Sequence, residues 1–304
     1  MNIAVIGGSG FVGSHVVDKL IEKQHEVTVL DFMKPQRSDV RHIFVDITDL
    51  SKTAVALTGS YDVVYMLAAM ADVKNVYKNP VEASAINIMA VANVLEAAKR
   101  NEIGRVILAS TVWVYGFSAE RDVHEDTPLN VNKANHIYTS SKVAAELYCH
   151  SYQKLYGQNF TILRYGIPYG PRARSGSVIA IFIRKAMNNE PLTIAGDGSQ
   201  YRNFIYIEDL AEGNVAALKD VAVNQTYNLE GKRPITVKEV AETVKKIVAD
   251  VPIDYQQDRP GDFEGKIVSA EKARKDLGWE PKTDFEEGLR KYYEWYKKYR
   301  MDKK

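Results

Sequence analysis

Short apolar runs alternate with amphipathic segments through the first half of the chain. Several of these runs show no polar alternation, which is typical of strands covered on both faces of a sheet. They span residues 2–6, 26–30, 41–45, 62–66, 105–109 and 160–164. Helical periodicity separates them, most clearly at 11–22, 80–100 and 138–155. This order predicts an α/β fold built on a doubly wound parallel sheet.

The pattern changes after Arg164. Glycine and proline punctuate the next residues, and one more strand and helix are predicted at 204–207 and 208–219. Short helices and loops follow, ending in an amphipathic helix at 289–299 that we expect to dock on the body. We therefore expect a first domain over 1–165, to which 203–222 return, and a smaller C-terminal lobe over 166–304.

Composition and charge narrow the classes of partner. The 304 residues carry a formal net charge of +1, so there is no bulk electrostatic attraction to nucleic acid or to an anionic membrane. The single cysteine, Cys149, excludes an internal disulfide framework and is typical of a reducing compartment. No run approaches the roughly 18 apolar residues of a membrane span. We expect a cytoplasmic protein that binds neither nucleic acid nor membrane.

A glycine-rich loop joins the first predicted strand to the first helix, with Gly7, Gly10 and Gly13 at equal spacing. The first glycine allows the tight turn, the second lets a pyrophosphate approach the backbone, and the third lets helix and strand pack closely. Phe11 and Val12 then begin the helix, whose N-terminus favours a phosphate group. The loop predicts a dinucleotide-binding site.

Asp31 selects among dinucleotides. It ends the second strand, 18 residues after Gly13 (31 − 13). A carboxylate at that position can accept both ribose hydroxyls of NAD and repels a 2′-phosphate, so NAD is the predicted cofactor. Lys34 and Arg37 follow closely and leave NADP open as the alternative.

The ends of the next two strands are also candidate cofactor contacts. Asp46 and Ile47 end the third strand, where the carboxylate can reach the adenine amino group. The alternative for Asp46 is a surface turn. Leu67, Ala68 and Ala69 end the fourth strand with small residues, as a backbone that passes close to a cofactor requires.

Tyr138 and Lys142 place a phenol and an ammonium one helical turn apart, on the same face. Tyrosine has an ordinary pKa near 10, and a nearby ammonium together with the positive nicotinamide ring lowers that pKa and favours the phenolate. Lys142 can supply this charge and also hold the nicotinamide ribose, so both residues are predicted to contact the cofactor. Tyr138 can then act as a general base on a substrate hydroxyl that Thr111 orients. The same spacing recurs at Tyr293 and Lys297, which we interpret as an exposed helix face.

In this order, these residues resemble the extended short-chain dehydrogenase/reductase family, and within it the nucleotide-sugar epimerases typified by UDP-glucose 4-epimerase. The likeness covers nearly the whole chain. It is carried by Gly7-x-x-Gly10-x-x-Gly13, Leu67-Ala68-Ala69, Asn87, Ser110-Thr111, Val114-Tyr115-Gly116, Tyr138-x-x-x-Lys142, Arg164-Tyr165, Tyr169-Gly170-Pro171-Arg172, residues 196–202, Arg259-Pro260-Gly261-Asp262 and residues 277–281.

The resemblance implies a Rossmann fold that binds NAD and a C-terminal lobe that binds a nucleotide sugar. It adds Asn87, Tyr165 and Pro168 to the cofactor site. Arg202 and Arg259 are expected to hold the diphosphate, and Asp262 to lie near the nucleotide ribose. We further expect Ser177, Val178 and Thr193 to line the base pocket. The resemblance also implies a homodimer through the helices at 80–100 and 138–155.

Two departures from the family bear on the reaction. Ile167 stands where the epimerases usually carry an asparagine that touches the substrate diphosphate. Val112 and Trp113 stand where sugar 4,6-dehydratases carry Asp-Glu and where UDP-glucuronate decarboxylases carry a glutamate. We therefore predict NAD-dependent epimerisation of a nucleotide sugar at carbon 4. A nucleotide-sugar reductase, a lipid oxidoreductase and a non-catalytic NAD(P)-sensing protein are the alternatives.

Overall fold

A computed structural model describes residues 1–257 and 265–301 of the chain. The strands are β1 (Asn2–Ile6), β2 (Glu26–Leu30), β3 (Arg41–Ile43), β4 (Val63–Met66), β5 (Arg105–Thr111), β6 (Asp122–Val123), β7 (Asn159–Tyr165), β8 (Ile167–Tyr169), β9 (Leu192–Ala195), β10 (Tyr201–Arg202), β11 (Phe204–Tyr206), β12 (Gln225–Leu229), β13 (Ile235–Thr236), β14 (Ile253–Gln256) and β15 (Ile267–Val268).

The α-helices are α1 (Phe11–Glu22), α2 (Leu50–Ala56), α3 (Val73–Lys78), α4 (Pro80–Ser84), α5 (Ala90–Arg100), α6 (Ile137–Tyr156), α7 (Val178–Met187), α8 (Ile207–Ala216), α9 (Val237–Ile247) and α10 (Phe285–Met301). Five-residue π-helical segments occur at Ala85–Met89, between α4 and α5, and at Ala273–Leu277. Short 3₁₀ turns lie at Val112–Phe117, Val131–Lys133 and Asp220–Ala222.

Seven parallel strands form the central sheet in the order β12-β7-β5-β4-β1-β2-β3. The doubly wound parallel fold is confirmed. Successive residues of β1 enter opposite layers: Ile3 and Val5 pack with α1 and α8, whereas Ala4 and Ile6 pack with α5 and α6. Because chain order reverses between β1 and β4, the carboxyl ends of these strands border the crevice where such sheets bind ligands.

Strand β12 was absent from the sequence prediction, which expected only short helices and loops in that region. Its sequence, Gln-Thr-Tyr-Asn-Leu, lacks an apolar run because Asn228 is buried as a hydrogen-bonded residue. The Asn228 side chain accepts from the Tyr115 hydroxyl at 2.7 Å, and its backbone N–H donates to Glu125 at 2.8 Å. Strand β3 is also shorter than expected and ends at Ile43.

The C-terminal half builds smaller pairs of strands beside the main sheet. These pairs are β8 with β11, β9 with β14, β6 with β15 and the antiparallel β10 with β13. Helix α8 returns to the main sheet, since the Tyr65 hydroxyl on β4 donates to the Asn214 carbonyl at 2.7 Å. Helix α10 docks through Leu289 and Tyr292, which are fully buried. The domain boundary at residue 165 stays a prediction.

The α4–α5 segment, Pro80–Arg100, is long and apolar enough to cross a membrane by length and composition alone. Its buried positions pack in the core beneath the sheet, among them Val91, Val94 and Leu95. Core helices of globular proteins pass the same test, so this property is weak evidence for a membrane span.

Candidate active site

The glycine loop leaves no room for side chains on two of the three glycines of the motif, Gly7 and Gly13. A Cβ on Gly7, where φ is +81°, would lie 2.6 Å from the backbone nitrogen of Ala68. A Cβ on Gly13 would lie 2.1 Å from the Gly7 carbonyl oxygen, so helix α1 packs directly on the loop. Gly10 is the N-cap of α1 and provides no side-chain hydrogen bond. The first backbone N–H groups of this helix, at Phe11 and Val12, are thus suited to bind a phosphate.

Asp31 is held beside this loop. The carboxylate is buried and accepts backbone N–H groups from Ser9 and Met33, each at 3.0 Å. Each carboxylate oxygen keeps lone-pair capacity for a further donor. Arg37, the candidate for a 2′-phosphate, instead pairs with Asp39 at 2.6 Å and with Asp18 at 3.3 Å. The residues present fit NAD, because the Asp31 carboxylate is held in place to accept a ribose diol and the Arg37 charge is already neutralised by two carboxylates.

Asp46 and Ile47 lie after β3, at the same edge of the sheet. The Asp46 carboxylate accepts from the backbone and the hydroxyl of Thr48, and these bonds lower its pKa. The Ile47 carbonyl accepts from the Asn93 side chain at 3.0 Å. Asp46 is exposed, so the Asx-type turn leaves it able to bind a further donor.

Asn87 holds the loop after β4 in place from the π-helical segment. Its amide oxygen accepts from Met70 N at 2.8 Å, and its NH₂ group donates to Met70 O and to Ser141 on α6. Both amide hydrogens are thus used within the chain. For the predicted contact with the cofactor, Asn87 has a lone pair of its amide oxygen left. Leu67, Ala68 and Ala69 immediately precede Met70, so Asn87 links this segment to the helix that carries Tyr138.

The three predicted catalytic residues lie on two adjacent elements. Thr111 is the last residue of β5 and is buried, while Tyr138 and Lys142 lie in the first two turns of α6. Burial raises the pKa of Tyr138 to about 12, although the Arg174 guanidinium and the Thr111 side chain both act to lower it. Burial lowers the pKa of Lys142 to about 8, partly offset by Glu146.

The sequence predicts that Lys142 lowers the pKa of the Tyr138 phenol, and this lowering is not found in the chain alone. In the chain alone the pKa of Tyr138 is raised, because the cost of desolvation exceeds the attraction of nearby cations. The cation that acts on it is Arg174, which the sequence analysis missed. This residue also pairs with Asp72, the N-cap of α3, at 3.6 Å. Its only sequence signal was its place directly after Arg172 and Ala173, in the glycine- and proline-rich segment.

A buried polar network joins α6 to β5 and β7. Glu146, on α6 one turn after Lys142, forms a two-point ion pair with Arg164 on β7, at 2.7 and 3.1 Å. The Ser110 hydroxyl, on β5, also donates to Glu146. Arg164 in turn donates to the Tyr115 hydroxyl at 2.9 Å. These bonds fix α6 against the strands that carry Thr111 and Tyr165.

Tyr165 and Pro168 follow each other across the end of β7. Tyr165 is buried and donates its hydroxyl to Asn214 on α8 at 2.5 Å, so only its ring is available to border a cofactor. Pro168 is half-buried on β8 and lies in register with Ile205 of β11. Ile167 is half-buried in the same register, and its N–H donates to the Asn203 carbonyl at 2.6 Å. This bond places Arg202, the next residue back, beside the end of β7.

The other predicted substrate contacts lie in the C-terminal lobe. Ser177 caps α7 through its hydroxyl, and Val178 begins that helix. Thr193 lies on β9, where its hydroxyl accepts from Lys185 at 3.0 Å. All three are half-buried. The predictions for Arg259 and Asp262 lie outside the described residues.

With this geometry in place, the chain is assigned to the NAD dependent epimerase/dehydratase family, whose model matches residues 3–229. It is accordingly an enzyme, and NAD is its cofactor. Nucleotide-sugar decarboxylases and dehydratases are similar to it as well as 4-epimerases.

Three similar proteins span most of the chain. A putative UDP-glucose 4-epimerase of Methanocaldococcus jannaschii is 33% identical and covers 97% of this chain and 98% of its own. UDP-glucuronic acid decarboxylase 1 of Arabidopsis thaliana is 34% identical over 95% of this chain and 68% of its own. The crystal structure of the UDP-glucose 4-epimerase of Thermotoga maritima with UDP-glucose has a TM-score of 0.92 at 30% identity, covering 98% and 99%.

Proposed function

We propose that the protein interconverts nucleotide-diphosphate sugars that differ in configuration at carbon 4, through a 4-keto sugar. The single observation that supports this most is the side chain two residues after Thr111. The Trp113 ring lies 6.3 Å from that of Tyr138 at an angle of 85°. An indole there offers no carboxylate to remove a proton or expel water from the sugar, and Val112 is equally inert.

The acid–base work falls to Tyr138. Its oxygen takes the proton of the carbon-4 hydroxyl and later returns it, while Thr111 orients that hydroxyl. When bound, NAD supplies a reversible hydride acceptor for the sugar carbon. Because burial raises the pKa of Tyr138 to about 12, the phenolate needs positive charge beside it when the site is loaded. Within the chain, Arg174 supplies such charge to the phenol.

Substrate retention requires groups away from the sugar. The Arg202 guanidinium can bind phosphate oxygens in two-point geometry, which leaves the sugar free to turn over between the two proton transfers. Ile167 offers no amide to the diphosphate. The arginine and the backbone around it therefore have a larger share of substrate binding than in an epimerase with asparagine at that position.

The test is proton NMR of the purified protein with catalytic NAD and a panel of UDP-, dTDP-, GDP- and CDP-sugars, without added reductant. The expected result is a new anomeric signal that grows to a stable equilibrium with no net change in cofactor absorbance. Release of CO₂ from a uronate, formation of a 6-deoxy-4-keto product, or turnover only with stoichiometric NAD(P)H would overturn the proposal.

A further inference from the structure

Helix α6 begins with an unusual cap. His136 is its N-cap residue, and Nδ1 of the imidazole accepts the backbone N–H of Thr139 at 3.4 Å. Serine, threonine, aspartate and asparagine are the usual N-caps, because their oxygens accept at every ordinary pH. Only the neutral imidazole with its proton on Nε2 can accept at Nδ1. The capping bond therefore depends on the protonation state of His136.

The His136 ring also contacts both elements that carry catalytic residues. Its centroid lies 5.4 Å from Trp113, in the turn that follows Thr111, at an interplanar angle of 84°. It lies 6.3 Å from the ring of Tyr138, two residues further along. Tyr77 of α3 approaches from the third side at 5.4 Å. The imidazole thus fills the corner between the start of α6 and the end of β5.

Protonation would act on this corner in two ways. It would convert Nδ1 from an acceptor into a donor, so the Thr139 backbone N–H would lose its cap, and the Thr139 hydroxyl at 3.4 Å would be the acceptor left to Nδ1. It would also place a positive charge at a helix N-terminus whose first turn contains no acidic residue to compensate. Burial lowers the pKa of His136, which keeps the ring neutral at physiological pH.

The titratable and charged groups around the ring are the Tyr77 and Tyr138 phenols and the ion pair of Arg174 with Asp72 at 3.6 Å. Trp113 does not ionise, and burial raises the pKa of Tyr138 to about 12, so this phenol keeps its proton in acid. A variant that changes only the imidazole leaves all of these groups in place and therefore isolates its effect.

We propose that His136 is a positioning residue for the reaction: as a neutral imidazole it holds the first turn of α6, and with it the Tyr138 phenol, against Thr111 and Trp113. Protonation releases that turn and withdraws the phenol from the substrate hydroxyl. The catalytic consequence rests on the proposed function. The release of the turn does not, because it is a property of the folded chain.

The experiment compares wild type with His136→Asn, which keeps a capping acceptor that does not titrate, and with His136→Ala, which has none. His150→Asn is the matched control, since His150 lies on the same helix and contacts Phe160 away from the site. Hydrogen exchange of the 137–142 segment is followed by mass spectrometry between pH 4.5 and 7.5, with rates divided by the intrinsic rate at each pH. The pH dependence of kcat/KM is measured on the same four proteins.

In wild type and His150→Asn we expect about fivefold faster normalised exchange in this segment on acidification, the equivalent of one lost N-cap. His136→Asn should stay slow, and His136→Ala should be fast at every pH. The acidic limb of kcat/KM should be missing in His136→Asn and retained in His150→Asn.

The same pH dependence of the normalised exchange rate in wild type and His136→Asn would overturn the proposal, whether or not turnover is detected. An unchanged acidic limb in His136→Asn would overturn the positioning role even if the exchange result holds. Absence of turnover in all four proteins, with the expected exchange pattern, would count against the proposed function and still support the release of the turn.

Discussion

At the predicted catalytic pair, Tyr138 and Lys142, burial shifts the two pKa values in opposite directions. Desolvation disfavours the charged form, so the pKa of Tyr138 is raised to about 12 while that of Lys142 is lowered to about 8. Both residues are less ready to ionise than in water. Ionisation of either residue therefore needs an opposite charge nearby, from the bound molecules or from the chain. Within the chain, Arg174 acts on Tyr138 and Glu146 acts on Lys142.

Replacing Tyr138 by phenylalanine should lower kcat by about a thousandfold, because general acid–base catalysis contributes on that order. The fold should remain, since only a hydroxyl is lost. Proton NMR of the epimerisation and circular dichroism melting measure the two effects. Tyr293→Phe is the matched control, because it removes the same atom from the other Tyr-x-x-x-Lys pair, in α10. Near-normal turnover in Tyr138→Phe would contradict the assignment of the base.

Glu230 predicts a pH-dependent stability. It follows β12, is 8% exposed, and its Oε2 has no hydrogen-bond partner among the described residues. Burial raises its pKa from 4.5 to about 9. The folded protein therefore keeps a proton on Glu230 that the unfolded chain releases above pH 4.5. The free energy of unfolding is highest below pH 4.5 and falls as the pH rises towards 9.

Glu230→Gln should remove this dependence, which is worth about 1.4 kcal/mol of unfolding free energy per pH unit. Urea denaturation at pH 5.5, 7.0 and 8.5 measures it. Glu242→Gln, at an exposed position of α9, serves as the control. Parallel pH profiles of wild type and Glu230→Gln would show that the carboxyl is ionised in the folded protein.

At the scale of elements, the site depends on how closely helices approach loops. The α1 helix packs on the glycine loop at a distance that excludes any Cβ on Gly13. The π-helical segment Ala85–Met89 turns Asn87 inward to the loop after β4, and π-segments of this kind are common at functional sites. The first approach involves backbone alone, whereas the second is made by the Asn87 side chain.

Gly13→Ala should weaken NAD binding more than tenfold and lower the unfolding free energy by about 1–3 kcal/mol, because the added carbon forces helix and loop apart. Calorimetric titration with NAD and urea denaturation are the measurements. Gly176→Ala is the control, since a Cβ there has no neighbour within 4 Å. Equal NAD affinity in both variants would mean that the loop adapts without loss.

A homodimer is expected at the helices next to the sheet. Seven large apolar or aromatic side chains are exposed on Pro80–Arg100 and α6: Val81, Met89, Ile137, Leu147, Tyr148, Leu155 and Tyr156. Such a surface is more readily covered by a second copy than left in water. Sedimentation equilibrium should give a dimer for wild type and a monomer for Met89→Glu/Leu147→Glu. A monomeric wild type would refute the expectation.

At the scale of the whole molecule, the central sheet aligns residues that are far apart in sequence. The carboxyl ends of β1, β4, β5 and β7 bring the glycine loop, residues 67–70, Thr111 and Tyr165 to one edge. The alternation of strands and helices along the chain predicted this edge, because parallel strands that are covered on both faces have uninterrupted apolar sequences. It did not predict β12, whose buried Asn228 is hydrogen-bonded by Tyr115, Glu125 and Ser269 from other segments.

The sequence by itself determined the parallel fold, and it predicted the glycine loop and Asp31 as the cofactor site and the Tyr138–Lys142 pair as catalytic, because each depends on local periodicity or on a spacing within or next to one element. Only the tertiary structure decided the rest. It paired Arg37 with carboxylates, brought Arg174 to act on Tyr138, and placed the His136 ring against both Trp113 and Tyr138. The physical reason is that pKa values, ion pairs and ring contacts depend on burial and on neighbours distant in sequence, which no local pattern encodes.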